Sequence, residues 1–185
     1  MSSAYIKCNQ TDCATTCQKK LKKDIRLACG SSGREYDVIN RQGETLDLAS
    51  VSIDLNGLIS PLVKVDFSTT VEFEVETQSP GSSTTLDLEL EFILSRVCED
   101  GIEQELETYT FVRDFNITEG GSTLLVRTTD PISFTFCDCV NACKTGCCSY
   151  LIKVFVSSVD TTPVQTAKID ESFINAIAQG VVKCC

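Results

Sequence analysis

The sequence predicts an all-β protein, an antiparallel β-sandwich of jelly-roll type behind an N-terminal extension. Three observations predict it. Short runs rich in β-branched, leucine and aromatic residues recur along most of the chain, and many alternate apolar with polar positions. Clusters of Gly, Pro, Ser, Asn and Asp separate the runs. Eight to ten such runs at this spacing suit two packed antiparallel sheets.

Residues 1–23 read as an extension, with no strong helical or strand period, and end in KKLKK. From Asp24 the strand candidates follow in order: DIRLAC, LASVSIDL, PLVKVDF, TVEFEVE, LDLELEFILSRV, LETYTFVRDF, TLLVR, ISFTFC, YLIKVFVSSV and VQTAKI. DESFINAIAQG supports either a short helix capped by Asp170 and stopped at Gly180, or two strand pieces around a turn. Residues 181–185, VVKCC, form a tail, so the organisation expected is a connector arm over 1–23, a sandwich over 24–180 and a tail over 181–185. A length of 185 residues suits one domain with a sizeable core, and 42% hydrophobic residues argue against global disorder. No apolar run is long enough for a membrane span, and no secretory signal is visible at the start.

Charge is uneven. Residues 1–28 carry Lys7, Lys19, Lys20, Lys22, Lys23 and Arg26 against Asp12 and Asp24, a net +4 in a chain of net −10. The body is therefore strongly acidic, which argues against nucleic acid as its partner. A basic arm suits an acidic protein surface instead. One candidate surface is a strip of carboxylates. If Val71–Glu76 and Leu86–Phe92 formed a hairpin around Gly81 and Ser82, Glu72, Glu74 and Glu76 would face Glu91, Glu89 and Asp87. The ordinary reading is a solvated face that discourages association. The sharper one is a docking strip for Lys19–Lys23, with Ca²⁺ as a weaker option.

The chain has 12 cysteines and no histidine. Five lie in CDCVNACKTGCC, Cys137 to Cys148. Zinc sites favour CxxC knuckles, often with histidine, and no CxxC occurs here; a four-cysteine site from Cys137, Cys139, Cys143 and Cys147 remains an alternative. Redox sites of thioredoxin type also need CxxC, and a catalytic cysteine normally needs a base. No enzyme, cofactor or metal is expected. Disulfides fit better. Cys137 and Cys139 would share one face of a strand end, and Cys147 and Cys148 would open the next strand of a hairpin looped through NACKTG. Cys29, Cys98, Cys137, Cys139, Cys143, Cys147 and Cys148 are the candidates for disulfides within the domain. Cys8, Cys13 and Cys17 in the arm, with the terminal Cys184 and Cys185, are candidates for bonds to another copy, because a staple in a tail does little for the core. Disulfides without an export signal have one resolution in a protein made in a reducing cytoplasm and oxidised after that cell lyses, the history of a spore coat or appendage; the other is that the thiols stay reduced and bind metal.

Several stretches together resemble a domain-of-unknown-function family of clostridia and related spore-formers. They are RLACGSSG, LASVSIDLNGLISPLVKVDFSTTVEF, FILSRVCEDG, SFTFCDCVNACKTGCCSYLIKV and NAIAQG, covering about residues 24–180. The long Cys-bearing arm and the terminal CC depart from that family's pattern. In plan alone, the chain is similar to pilin subunits of endospore appendages, whose connectors form disulfides across neighbouring subunits. That likeness implies that Cys8, Cys13 and Cys17 are connector thiols. The expected function is a structural subunit of a disulfide-cross-linked, head-to-tail filament outside the cell or on the spore surface. Its partners would be further copies of itself and a spore-surface anchor protein. A Cys-rich zinc protein, and a non-polymerising coat or surface recognition domain, are the alternatives.

Overall fold

The computed structural model describes residues 21–31, 33, 35–76, 83–118, 125–140, 146–159 and 164–183. They form nine strands: β1 (Leu21–Cys29), β2 (Tyr36–Asp37), β3 (Thr45–Asp54), β4 (Ile59–Glu76), β5 (Ser83–Val97), β6 (Glu103–Thr118), β7 (Leu125–Cys139), β8 (Cys147–Val159) and β9 (Val164–Lys183). There is no helix among the described residues, and so none long and apolar enough to cross a membrane.

One sheet has the order β1-β9-β4-β7, with β2 added to β9; the other has the order β3-β8-β5-β6. The first is called the outer-neutral sheet below, the second the acidic sheet. All pairings are antiparallel. Four of them are nested in sequence: β5 with β6, β4 with β7, β3 with β8 and β1 with β9. The chain thus behaves as one long hairpin, folded at the β5–β6 turn and rolled so that alternate pairs fall in opposite sheets. This is the jelly roll the strand pattern predicts.

The alternation explains the layers. In β8 every second residue from Cys148 to Val156 is buried, and in β9 Ser172, Ile174, Ala176, Ala178 and Gly180 are buried while their neighbours are exposed. Aromatic contacts join the sheets across the core. The Phe67 and Phe92 rings lie 6.1 Å apart, Phe73 stacks on Phe111, and Tyr109 stacks on Phe134 at 3.9 Å.

Four details differ from the sequence expectation. PLVKVDF and TVEFEVE are one strand, β4, because a bulge between Ser68 and Thr70 absorbs the break in alternation. TLLVR and ISFTFC are also one strand; Pro131 sits within β7, which is an edge where a missing N–H is tolerated. DESFINAIAQG is not a helix but the middle of β9. β1 starts at Leu21 and β9 continues to Lys183, so the sheet takes in three residues assigned to the arm and three assigned to the tail.

RLACGSSG has a specific role. After β1 the chain stays beside β9, with the Gly30 and Gly33 amides donating to the Ile174 and Ser172 carbonyls at 2.9 Å each, and crosses to β3, where the Ser31 amide donates to the Ser50 carbonyl at 2.9 Å. A Cβ at Gly33 would stand 2.0 Å from the Leu48 carbonyl oxygen, and one at Gly30 2.5 Å from that of Ser50. Only glycine lets the crossing pass this close to β3.

Candidate functional site

The cysteine-rich segment is built around an inward-pointing acid. In Cys137–Asp138–Cys139 the alternation of β7 turns Asp138 into the sandwich, where it is 8% exposed, and turns Cys137 out. Arg96 of β5 donates to Asp138 Oδ2 at 2.5 Å, and the Tyr150 hydroxyl of β8 donates to the same oxygen at 2.8 Å. Arg96 also donates to Gln104 Oε1 at 2.6 Å. Burial, then the Asp138 carboxylate, pushes the Tyr150 hydroxyl far above its usual pKa, so it stays a donor. This knot ties β7 of one sheet to β5 and β8 of the other.

A covalent link lies on the same strands. Cys98, just after β5, is bonded to Cys148 at the start of β8, across a sequence separation of 50. Cys148 is fully buried. Cys139 is disulfide-bonded too. Cys29, Cys137 and Cys147, expected among the domain's internal bonds, are instead unpaired and exposed. The reason is the alternation. Each of the three occupies an outward position, whereas the cysteine next to Cys147 points in. Cys8, Cys13, Cys17, Cys143, Cys184 and Cys185 lie outside the described residues.

The hairpin expected through NACKTG is not a hairpin of paired strands. β7 belongs to the outer-neutral sheet and β8 to the acidic sheet, so the two strands do not pair with each other. The carboxylate strip fails for the same reason. β4 carries Glu72, Glu74 and Glu76 in one sheet; β5 carries Asp87, Glu89 and Glu91 in the other. Glu72 stands between Thr129 and Lys168, and Glu74 between Arg127 and Thr166, with an Arg127–Glu74 ion pair. Asp87 stands opposite Asp114, Glu89 opposite Val112 and Glu91 opposite Thr110. Six alternating acids in two adjacent runs have the pattern of a hairpin, but the chain passes from one sheet to the other between β4 and β5. Among the described residues no group of three or more Cys, Asp or Glu is placed to hold a metal ion.

The two outer faces differ in character. Along the acidic sheet, Asp87, Glu103, Glu105 and Glu107 are exposed. The outer-neutral sheet has an apolar half. Of the eight large apolar side chains that stand exposed among the described residues, six are on this sheet: Ile25, Leu27, Leu62, Phe173 and Ile177 in this half, and Leu125 at the far end of β7. Register puts Leu27, Ile177, Lys64 and Cys137 in one row across the four strands, and Cys29, Asn175, Asp66 and Thr135 in the next. A shallow cleft of about 370 Å³ adjoins these rows, lined by Asp66, Ser68, Ser133, Thr135, Phe173 and Asn175. Lys64 and Asp66 neutralise each other at 2.8 Å, and Thr135 donates to Asp66 at 2.6 Å. The Lys64 bond, then that of Thr135, holds the Asp66 carboxyl below its ordinary pKa.

Fold and cysteines together define a disulfide-stapled jelly-roll domain with unpaired thiols on its surface. The chain belongs to the family described as Domain of unknown function (DUF4489), whose pattern matches residues 24–179. No curated protein matches it. Among solved structures, it is similar to a chain of infectious bursal disease virus, Gx strain, at 15% identity and a TM-score of 0.42, over 85% of this chain and 32% of that one. The VP2 subviral particle of the same virus gives 14% identity and a TM-score of 0.38, over 97% and 42% of the two chains. The CBM22-1 xylan-binding domain of Paenibacillus barcinonensis Xyn10C gives 15% identity and a TM-score of 0.24, over 89% and 83%. The chain thus spans less than half the length of the viral chains it matches.

Sequence reasoning missed Arg96, Asp138 and Tyr150. The signal was present: an Asp on the inward phase of β7 and an Arg beside Val97, in runs where the other inward positions are apolar. A charge in that phase needs a buried partner.

Proposed function

We propose that the protein is a structural subunit of a self-assembling filament outside the cell or on a spore surface, locked by disulfides between copies. It is not an enzyme in this reading. One observation carries it. The sandwich is already stapled by Cys98–Cys148, yet three further thiols, Cys29, Cys137 and Cys147, stand exposed on its surface. Exposed free thiols are a liability for a lone domain in an oxidising setting. They are useful to a subunit whose tails carry five more cysteines, Cys8, Cys13, Cys17, Cys184 and Cys185. Head-to-tail contacts that do not close a ring grow into filaments. The acidic sheet keeps finished filaments hydrated and apart.

The test is to follow assembly from reduced chain. Purified protein held in reductant is dialysed into aerated buffer, then observed by light scattering and electron microscopy. The reading predicts filaments of uniform width that appear on oxidation. Particles that remain the size of one sandwich after complete thiol oxidation would contradict it.

A further inference from the structure

Resting on that reading, we infer that Cys29 and Cys137 form one two-point receptor, which takes two successive arm cysteines from a second copy. The arm pair is Cys13 with Cys17, four residues apart and so on one side of an extended segment.

The argument is one of span. Cys29 lies on β1 and Cys137 on β7, the two edges of the same sheet, and both are exposed on its outer side. Three strand spacings of about 4.8 Å separate the strands, and the rows differ by two residues, about 7 Å, so their Cα atoms stand about 16 Å apart. An extended chain covers about 13 Å in four residues and about 17 Å in five. The first is the interval from Cys13 to Cys17; the second, from Cys8 to Cys13, is odd and would turn one of the two thiols away from the sheet. Cys8 and Cys17, nine residues apart, could reach about 30 Å at most and would have to buckle over the shorter distance, and their odd interval again points the two thiols to opposite sides.

The surface suits such an occupant. Between the two thiols lie Ile177, Lys64, Asn175 and Asp66, an apolar contact and polar groups with no net charge. A disulfide needs Cα atoms within about 7 Å, while two whole sheets stack about 10 Å apart. A flat second domain therefore cannot reach these thiols, but a segment of small residues can lie closer. Ala14, Thr15 and Thr16 are such residues.

The arm must come from another copy. Leu21 starts β1, and Cys29 stands eight residues further along, about 27 Å away. Cys137 is about 25 Å from Leu21, six residues along and three strands across. Cys17 is four residues before Leu21 and reaches about 20 Å, including the disulfide itself. A chain that reverses at Leu21 spends about four residues on the turn, which leaves Cys13 short as well. Only Cys8 of the same chain could arrive, and one thiol cannot satisfy two.

Each link joins two thiol sulfurs and releases two protons and two electrons to an oxidant, either dioxygen or a small-molecule disulfide. With the latter, two small thiols leave by exchange.

The test mixes reduced ¹⁵N-labelled and unlabelled full chain, oxidises the mixture in air and maps disulfide-linked peptides by mass spectrometry. The expected result is Cys29 and Cys137 peptides each joined to arm peptides, with mixed labels. The C29S/C137S double variant, which removes no disulfide of the sandwich, should lose those links and still fold. Inter-copy disulfides that join other cysteines, with Cys29 and Cys137 left out or linked only within their own copy, would overturn this inference and leave the filament reading standing. Oxidised material with no inter-copy disulfide would overturn both.

Discussion

Arg96 and Asp138 form the buried ion pair that joins the two sheets, with Nη1 donating to Oδ2 at 2.5 Å and the side chains 16% and 9% exposed. Removing one partner leaves the other charge stranded. Asp138→Ala should therefore lower unfolding free energy by about 3 kcal/mol, and Asp138→Asn by less, since the amide oxygen still accepts from Tyr150. Urea denaturation measures both. Equal losses would mean that the retained amide oxygen contributes nothing and that the charge carries the whole effect.

The Cys98–Cys148 bond closes a loop of about 50 residues. Loop-closure entropy assigns such a link about 4 kcal/mol. The C98A/C148A variant should unfold at correspondingly lower urea, and dithiothreitol should bring the wild type down at least as far, since it also opens the Cys139 bond. A midpoint indifferent to both changes would show that the knot alone holds this end of the sandwich.

Stability should decline at both pH extremes, for separate reasons. The hydrogen bonds of Lys64 and Thr135 hold Asp66 below its ordinary pKa, and those of Lys153 and Ser95 do the same for Glu103. Carboxyls with lowered folded pKa contribute stability that is complete above their ordinary range and lost as pH falls through the folded values. At the alkaline end, Tyr150 has a raised folded pKa. Its contribution is complete below the ordinary tyrosine value of about 10 and declines above it, because only the unfolded chain then ionises. Thermal melts from pH 2 to 11 check this. D66N/E103Q should flatten the acid limb, and Tyr150→Phe the alkaline one.

Backbone strain marks the bulge in β9. Glu171 has φ 51°, beside the buried Thr69, whose hydroxyl donates to the Asp170 carbonyl at 2.8 Å. A side chain in this region costs about 1 kcal/mol or more. Glu171→Gly should raise stability by about 0.5 kcal/mol, and Glu171→Val should lower it by more than 1 kcal/mol. Chemical denaturation of the pair gives the difference directly.

These predictions also show what was readable from residues alone. Strand identity was readable, because two-residue alternation survives in β3, β4, β8 and β9. So was the sandwich. Strand ends were harder: the bulge at Ser68–Thr70 and Pro131 at the edge each looked like a break, yet the ladder continues on either side. Pairing was not readable for the acid-rich strands. Adjacent alternating runs suggest a local hairpin, whereas β4 pairs with β7 and β9 over distances that local pattern does not encode. Among cysteines, inward phase separated Cys148 from Cys147. The partner of Cys148, Cys98, needed the three-dimensional fold. Cys29 and Cys137 became a pair of interest only when register placed them on opposite edges of one face.

The proposed assembly is a covalent polymer. The most direct measurement is denaturing electrophoresis of native material, boiled with and without reductant. The account predicts a ladder, or material held in the well, that collapses to a 20.2 kDa monomer only when reduced. A monomer in both lanes would contradict it.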